Sequence, residues 1–270
     1  MKQKSLHLFV VIFFLLTLAS SMVQSTEFPH RVDYPGVTPI DTLELATKLD
    51  ADEVVLVDVR SKIEFIVIHA VDAINIRLSS PQFVEKVASL FQDNPGKEVV
   101  FYCNGVTCLK SYEAANTITK AGYKNCYAYD AGIMEWARVF PERTLLLKEI
   151  IKDPEKQLIS KSEFKKKCLP FSEFKSKATG PNTIVVDVRD RIQSSGSLPG
   201  LEDASVIPMD SFISTFVVRM EHKDKTLLIF DQVGKQVRWL EYYLAANGYQ
   251  NYFFLKGGAT DVLKNQRYKE

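Results

Sequence analysis

This sequence is short of surplus charge, of cysteine and histidine, and of long apolar runs, and each shortage closes off a class of function. Its 34 basic residues stand against 33 acidic ones, so no basic surface is expected for a nucleic acid. The one locally basic stretch, Lys161 to Lys167, reads as a solvated linker face. The four histidines are scattered: His7 near the start, His30, His69, and His222 in a charged stretch. None keeps a zinc-ligand spacing with the cysteines, and none sits where a general base would be placed. Neither a metal nor a cofactor is expected.

Only Leu6 to Leu18 is a sustained apolar run, and it falls short of the roughly 20 residues a spanning helix needs. A charged Met1-Lys-Gln-Lys precedes it and the small residues Ala19 to Ser25 follow. Residues 1–25 therefore have the three-part plan of a secretory signal peptide, with Val23-Gln24-Ser25 as the cleavage site. No cysteine follows closely enough to carry a lipid. An exported protein is expected, periplasmic and without a stable membrane span after processing; an uncleaved anchor is the alternative.

What is present is a duplication. Val54-Val-Leu-Val-Asp-Val-Arg60 returns as Thr183-Ile-Val-Val-Asp-Val-Arg189, and Val99-Val-Phe-Tyr102 returns as Leu227-Leu-Ile-Phe230. Tyr123 to Gly132 is echoed by Tyr249 to Gly258. Both copies alternate buried-type strands with amphipathic helices, the pattern of an α/β fold with a parallel sheet covered on both faces. The expected units are an N-terminal domain over 36–145, a connector over 146–180 and a C-terminal domain over 181–268. Within the connector, Leu158 to Phe174 looks partly helical.

The chemistry gathers in the first copy. The apolar strand Val99 to Tyr102 ends at Cys103, the loop Asn104-Gly105-Val106-Thr107 follows, and a helical pattern starts near Cys108. A cysteine between a strand's carboxyl end and a helix's amino end meets inward N–H groups and partial positive charge. Those conditions favour a thiolate nucleophile, so Cys103 is the expected catalytic residue. Asn104, Gly105, Val106, Thr107, Cys108, Leu109, Lys110 and Ser111 form the expected substrate-binding loop, with the Ser111 hydroxyl able to donate to a bound anion. In the second copy the cysteine's place is taken by Asp231, which brings no thiol, so that half is expected to be non-catalytic. Of the other cysteines, Cys126 reads as buried core and Cys168 as exposed linker. Four cysteines allow three complete pairings, and the sequence does not choose among them. Cys103 and Cys108 are near enough along one loop to be bridged.

These pieces carry a family resemblance. Asp58-Val-Arg60 after a buried strand, Glu64-Phe65, His69, Ala73-Ile-Asn-Ile76, the Tyr-Cys loop, the Ala-Ala helix, and Gly132 with Trp136 follow one another as in a rhodanese domain. The whole mature chain resembles the tandem-domain rhodaneses, a sulfurtransferase family. The resemblance implies two domains, each with a central parallel sheet of about five strands flanked by helices. It implies that the loop cysteine takes the outer sulfur of a donor such as thiosulfate, becomes a persulfide, and passes the sulfur to a thiophilic acceptor. Asp58 with Arg60, and Asp187 with Arg189, would brace each domain; His69 would be structural; Gly132 and Trp136 would line the approach to the loop.

The loop departs from the family pattern. Gly105 stands two residues after Cys103 rather than three, and Cys108 occupies the place usually held by a basic residue, leaving Lys110 as the nearest cation. Lysine does not replace a bidentate arginine on a sulfonate, so polysulfide or a protein persulfide is an alternative donor. The phosphatases of this fold carry arginine where Leu109 stands. The expected partners are a small sulfur-donor anion, a thiol or cyanide-like acceptor and a periplasmic protein. Two other functions stay open: a redox protein in which Cys108 resolves a Cys103 persulfide as a disulfide, and a sulfur carrier without turnover.

Overall fold

The computed structural model describes residues 28–190 and 196–267. The leader and His7 lie outside the described residues. Among those described, no helix is long and apolar enough to cross a membrane.

The first half runs β1 (Thr38–Pro39), α1 (Thr42–Asp50), β2 (Val54–Asp58), α2 (Lys62–Val67), β3 (Ile68–Ala70), β4 (Ile74–Asn75), α3 (Phe83–Asp93), β5 (Glu98–Tyr102), α4 (Lys110–Lys120), β6 (Cys126–Tyr129) and α5 (Gly132–Val139). Local chemistry sets several of these boundaries. Asp41 caps α1 by accepting from the Glu44 N–H at 2.8 Å. At the start of α2 the Glu64 carboxylate accepts from Ser61 N at 2.9 Å and from Ser61 Oγ at 2.7 Å. Every residue of β2 is buried, as its unbroken Val-Val-Leu-Val run requires of a central parallel strand. The sheet order is β1-β6-β5-β2-β4, all parallel.

After β7 (Thr144–Leu146), which pairs antiparallel with β3, and β8 (Glu149–Ile150), which pairs antiparallel with β7, come α6 (Pro154–Gln157) and α7 (Lys161–Lys166). The rest of the chain forms β9 (Cys168–Leu169), α8 (Phe171–Ala178), β10 (Thr183–Asp187), β11 (Ser205–Val206), α9 (Met209–Ser211) leading into a π-helical stretch Phe212–Val217, β12 (Thr226–Phe230), α10 (Val237–Ala246), β13 (Tyr252–Leu255) and α11 (Gly258–Arg267). Its sheet order is β9-β13-β12-β10-β11, again all parallel, and it repeats the first sheet strand for strand.

Two expectations are corrected here. The stretch 146–180 is not all connector: Cys168–Leu169 is the edge strand of the second sheet and Phe171–Ala178 packs beneath it, so second-half elements begin at 168 rather than 181. Two residues in β9 were too few to carry a strand pattern. For the same reason Cys168 is half-buried rather than exposed, its thiol donating to the Phe164 carbonyl at 3.4 Å. Cys126 is buried in β6, as its apolar setting implied.

Alternate side chains of each strand enter different cores, as the two-residue strand period demands. Val55, Val57 and Phe101 pack within the first half and Leu228 and Phe230 within the second. The opposite faces share one core, in which Ile63, Val67 and Ile68 join Trp239, Leu240 and Tyr242. The amino end of α10 thereby comes against α2, beside the Cys103 loop.

Candidate active site

The loop Cys103–Leu109 links β5 to α4 at the carboxyl edge of the first sheet, where open parallel sheets bind ligands. A turn closes it, with Cys108 N–H donating to the Gly105 carbonyl at 2.8 Å. The β6–α5 connection presses against it from the other side. Ile133 N–H donates to the Cys103 carbonyl at 3.0 Å. Gly132 has φ +67°, and a Cβ there would come within 2.6 Å of Gly105 Cα and 2.7 Å of the Cys103 oxygen. Only glycine permits that approach. The expected lining role of Gly132 thus has a backbone basis, whereas Trp136 is sealed in the core beside Tyr129 and Phe140.

A chain of polar contacts holds the loop from below. Arg60 is fully buried and forks onto Asp58 at 2.6–3.1 Å. Its remaining Nη1 donates to Asn104 Oδ1 at 3.1 Å, and Asn104 Nδ2 donates to Glu64 Oε1 at 2.7 Å. Burial would raise the Glu64 pKa, but Arg60, Asn104, Lys110 and Ser61 outweigh it and keep the carboxylate ionised below its usual range. Lys110 Nζ stands 3.9 Å from Glu64 Oε2. Arg60, expected from the sequence as a brace, is therefore also, with Glu64, a support of Asn104. His69 is structural, stacked on Phe65 and bonded to the Phe65 carbonyl at 2.7 Å.

The two loop thiols lie on one turn but differ in setting. Cys103 has 0 % of its surface exposed, and its Sγ lies 3.5 Å from the Cys108 carbonyl and 3.7 Å from Ser111 Oγ. Burial, together with donation to the Cys108 sulfur, pushes the Cys103 thiol well above the ordinary range. Cys108 is half-buried at the mouth. Donation from Cys103 first, then main-chain N–H groups of Asn104 and Lys110 and the Lys110 charge, pull it down to about 6 against the cost of burial. The balance of these effects favours negative charge on Cys108 over Cys103, where it was expected. The physical reason is position: Cys108 sits at the amino end of α4 beside a cation, and Cys103 sits below it. Of the other expected loop residues, Thr107 is exposed, Val106 and Leu109 are half-buried, and Ser111 is buried under Cys103.

The equivalent loop of the second half shows what this geometry holds. Asp231 follows β12 as Cys103 follows β5, and its carboxylate accepts from four main-chain N–H groups: Val233 at 3.0 Å, Gln236 at 2.6 Å, Val237 at 3.1 Å, and Gly234. Gly258 presses on this loop as Gly132 does on the first, and Ala259 N–H donates to the Asp231 carbonyl at 2.9 Å. A strand-end side chain here sits inside a ring of amide hydrogens suited to an anion.

Residues 41–139 match the family model of the rhodanese-like domain. The first half thus carries a stretch similar to a rhodanese-like domain. Curated relatives match about a third of the chain. A tRNA uridine(34) hydroxylase of Photorhabdus laumondii is 37% identical over 101 residues, covering 36% of this chain and 27% of the relative. An HTH-type transcriptional regulator of Mycobacterium tuberculosis is 33% identical over 97 residues, covering 36% and 40%. The chain thus spans well under half the length of these relatives. Among solved structures, a thiosulfate sulfurtransferase from Pseudomonas aeruginosa aligns over 87% of this chain and 46% of its own, at 18% identity and a TM-score of 0.38. A human single-domain sulfurtransferase covers 38% and 97%, at 23% identity and a TM-score of 0.31. The α/β architecture with parallel five-stranded sheets agrees with the rhodanese-like assignment.

One contact lay beyond sequence reasoning. The Arg60 guanidinium, which reaches the Cys103 loop through Asn104, also lies 5.6 Å from the ring of Trp239 in α10. Nothing in the motif Asp58-Val-Arg60 signals a partner in the other half.

Proposed function

We propose that the chain is a sulfurtransferase that carries a sulfane sulfur as a persulfide on the Cys103–Ser111 loop. The observation that carries this reading is a pair of free thiols on one loop at the carboxyl edge of a parallel sheet, with the Cys103 Sγ 3.5 Å from the Cys108 carbonyl and Lys110 on the same loop. A thiolate attacks the outer sulfur of thiosulfate, a polysulfide or a persulfide, and the remainder of the donor leaves with the electrons of the broken S–S bond. The N–H groups of Asn104 and Lys110, with the Lys110 charge, would steady the negative persulfide. An acceptor thiol or cyanide then takes the sulfur. The second half, with Asp231 in its loop, serves as scaffold over residues 168–267.

The leader composition supports export to a periplasm-like compartment, where a partner protein could supply or accept sulfur. Fractionating cells that express the full chain tests the compartment. The activity is tested by incubating reduced protein with thiosulfate or glutathione persulfide, with and without cyanide, and measuring intact mass. Release of sulfite from thiosulfate, with the transferred sulfur recovered as thiocyanate when cyanide is present from the start or as sulfide when it is not, is the expected result. Sulfur that binds but never moves to any acceptor would make the protein a carrier.

A further inference from the structure

The four cysteines are free thiols, but only Cys103 and Cys108 share a loop. Cys103 is sealed beneath the loop, with Cys108 and Ser111 as its polar neighbours. A donor anion arriving from solvent meets Cys108 first, between Lys110 and the main-chain N–H groups at the start of α4. We infer that Cys108 is the thiol that accepts sulfur and Cys103 is the buried thiol that resolves it, so that transfer ends in a Cys103–Cys108 disulfide and free sulfide. This rests on the sulfur-transfer reading of the same loop and reverses the order the sequence suggested.

The steps balance. The Cys108 thiolate attacks the outer sulfur of thiosulfate; the new S–S bond forms as the old one breaks, and sulfite departs with the old bond's electron pair. The Cys103 sulfur then attacks Cys108 Sγ. The outer sulfur leaves as hydrosulfide, taking the bonding pair and the proton that Cys103 had been donating to its neighbour. Two thiols are oxidised by two electrons and one sulfane sulfur is reduced by two. No outside oxidant takes part; a dithiol reductant of the thioredoxin type returns the loop to its starting state. Burial suits Cys103 to this part, because it reacts only with a sulfur already delivered to Cys108, and cannot itself be over-oxidised by bulk reagents.

The test uses the full chain, reduced and freed of reductant, with thiosulfate as donor, because sulfite then reports the first step and sulfide the second. Wild type is expected to release one sulfite and one sulfide per chain and to finish with the 103–108 disulfide by peptide mapping. Cys103→Ser should release sulfite, keep the sulfur on Cys108 and yield no sulfide. Cys108→Ser should release sulfite about tenfold more slowly or worse. Independently of any variant, iodoacetamide on the native wild type should label Cys108 and spare Cys103 until the protein unfolds. Sulfite release at the wild-type rate from Cys108→Ser, or first labelling at Cys103, overturns the inference and leaves the sulfurtransferase reading standing. If wild type takes sulfur from neither thiosulfate nor glutathione persulfide, both fall.

Discussion

Cys108 and Cys103 lie five positions apart, yet the fold splits their acidities in opposite directions. Alkylation of Cys108 should accordingly follow a titration centred near pH 6, while the other thiols stay silent to above pH 9. Lys110→Met should move that midpoint upward by a few tenths of a unit, since a half-exposed cation is screened. A second residue-scale test concerns Glu241. Its carboxyl is buried with one oxygen lacking a partner, and desolvation, only partly opposed by Tyr252, Lys167 and Arg238, lifts it to about 7. The folded chain therefore holds a proton that the unfolded chain releases, and stability from this group is full at low pH and falls between about pH 4.5 and 7. Glu241→Gln should change little at pH 5 and stabilise by about 2–3 kcal/mol at pH 8, read by denaturant titration at both pH values.

At the scale of elements, the β6–α5 turn is what closes the loop. Gly132→Ala forces a left-handed residue and a backbone collision at Gly105 together. It should cost about 2–4 kcal/mol of stability and abolish selective labelling of Cys108 in whatever folds. Much at this scale was legible beforehand. The unbroken apolar runs at Val54 and Thr183 marked central strands, and the strand–Cys–helix order marked the loop. What escaped had short signals or none. Two residues of β9 carry no periodicity, so a strand was read as linker. The acidity of each thiol depended on which one the loop turned inward, and a five-residue turn leaves no mark of that in composition.

For the whole molecule, the seam between halves reaches the site. Trp239 of α10 lies against Arg60, Arg60 holds Asn104, and the Asn104 main chain helps hold the Cys108 charge. Trp239→Leu should raise the Cys108 labelling midpoint and slow sulfur uptake, whereas Trp239→Phe, which keeps a ring face, should restore both. A merely structural tryptophan would lower thermal stability in the leucine variant without shifting the midpoint. Neither half could be read alone for this effect, since each supplies only one end of the relay.

Asp231 carries a last consequence. A cradle furnished with its own permanent tenant has no room for a guest, so on the proposed sulfur-transfer reading each molecule would be charged with a single sulfur, and the two halves would not take turns. Evicting the tenant should reverse that: Asp231→Ala would leave four amide hydrogens facing empty space, and formate, small enough to enter, should raise the melting temperature of this variant while leaving the parent protein untouched.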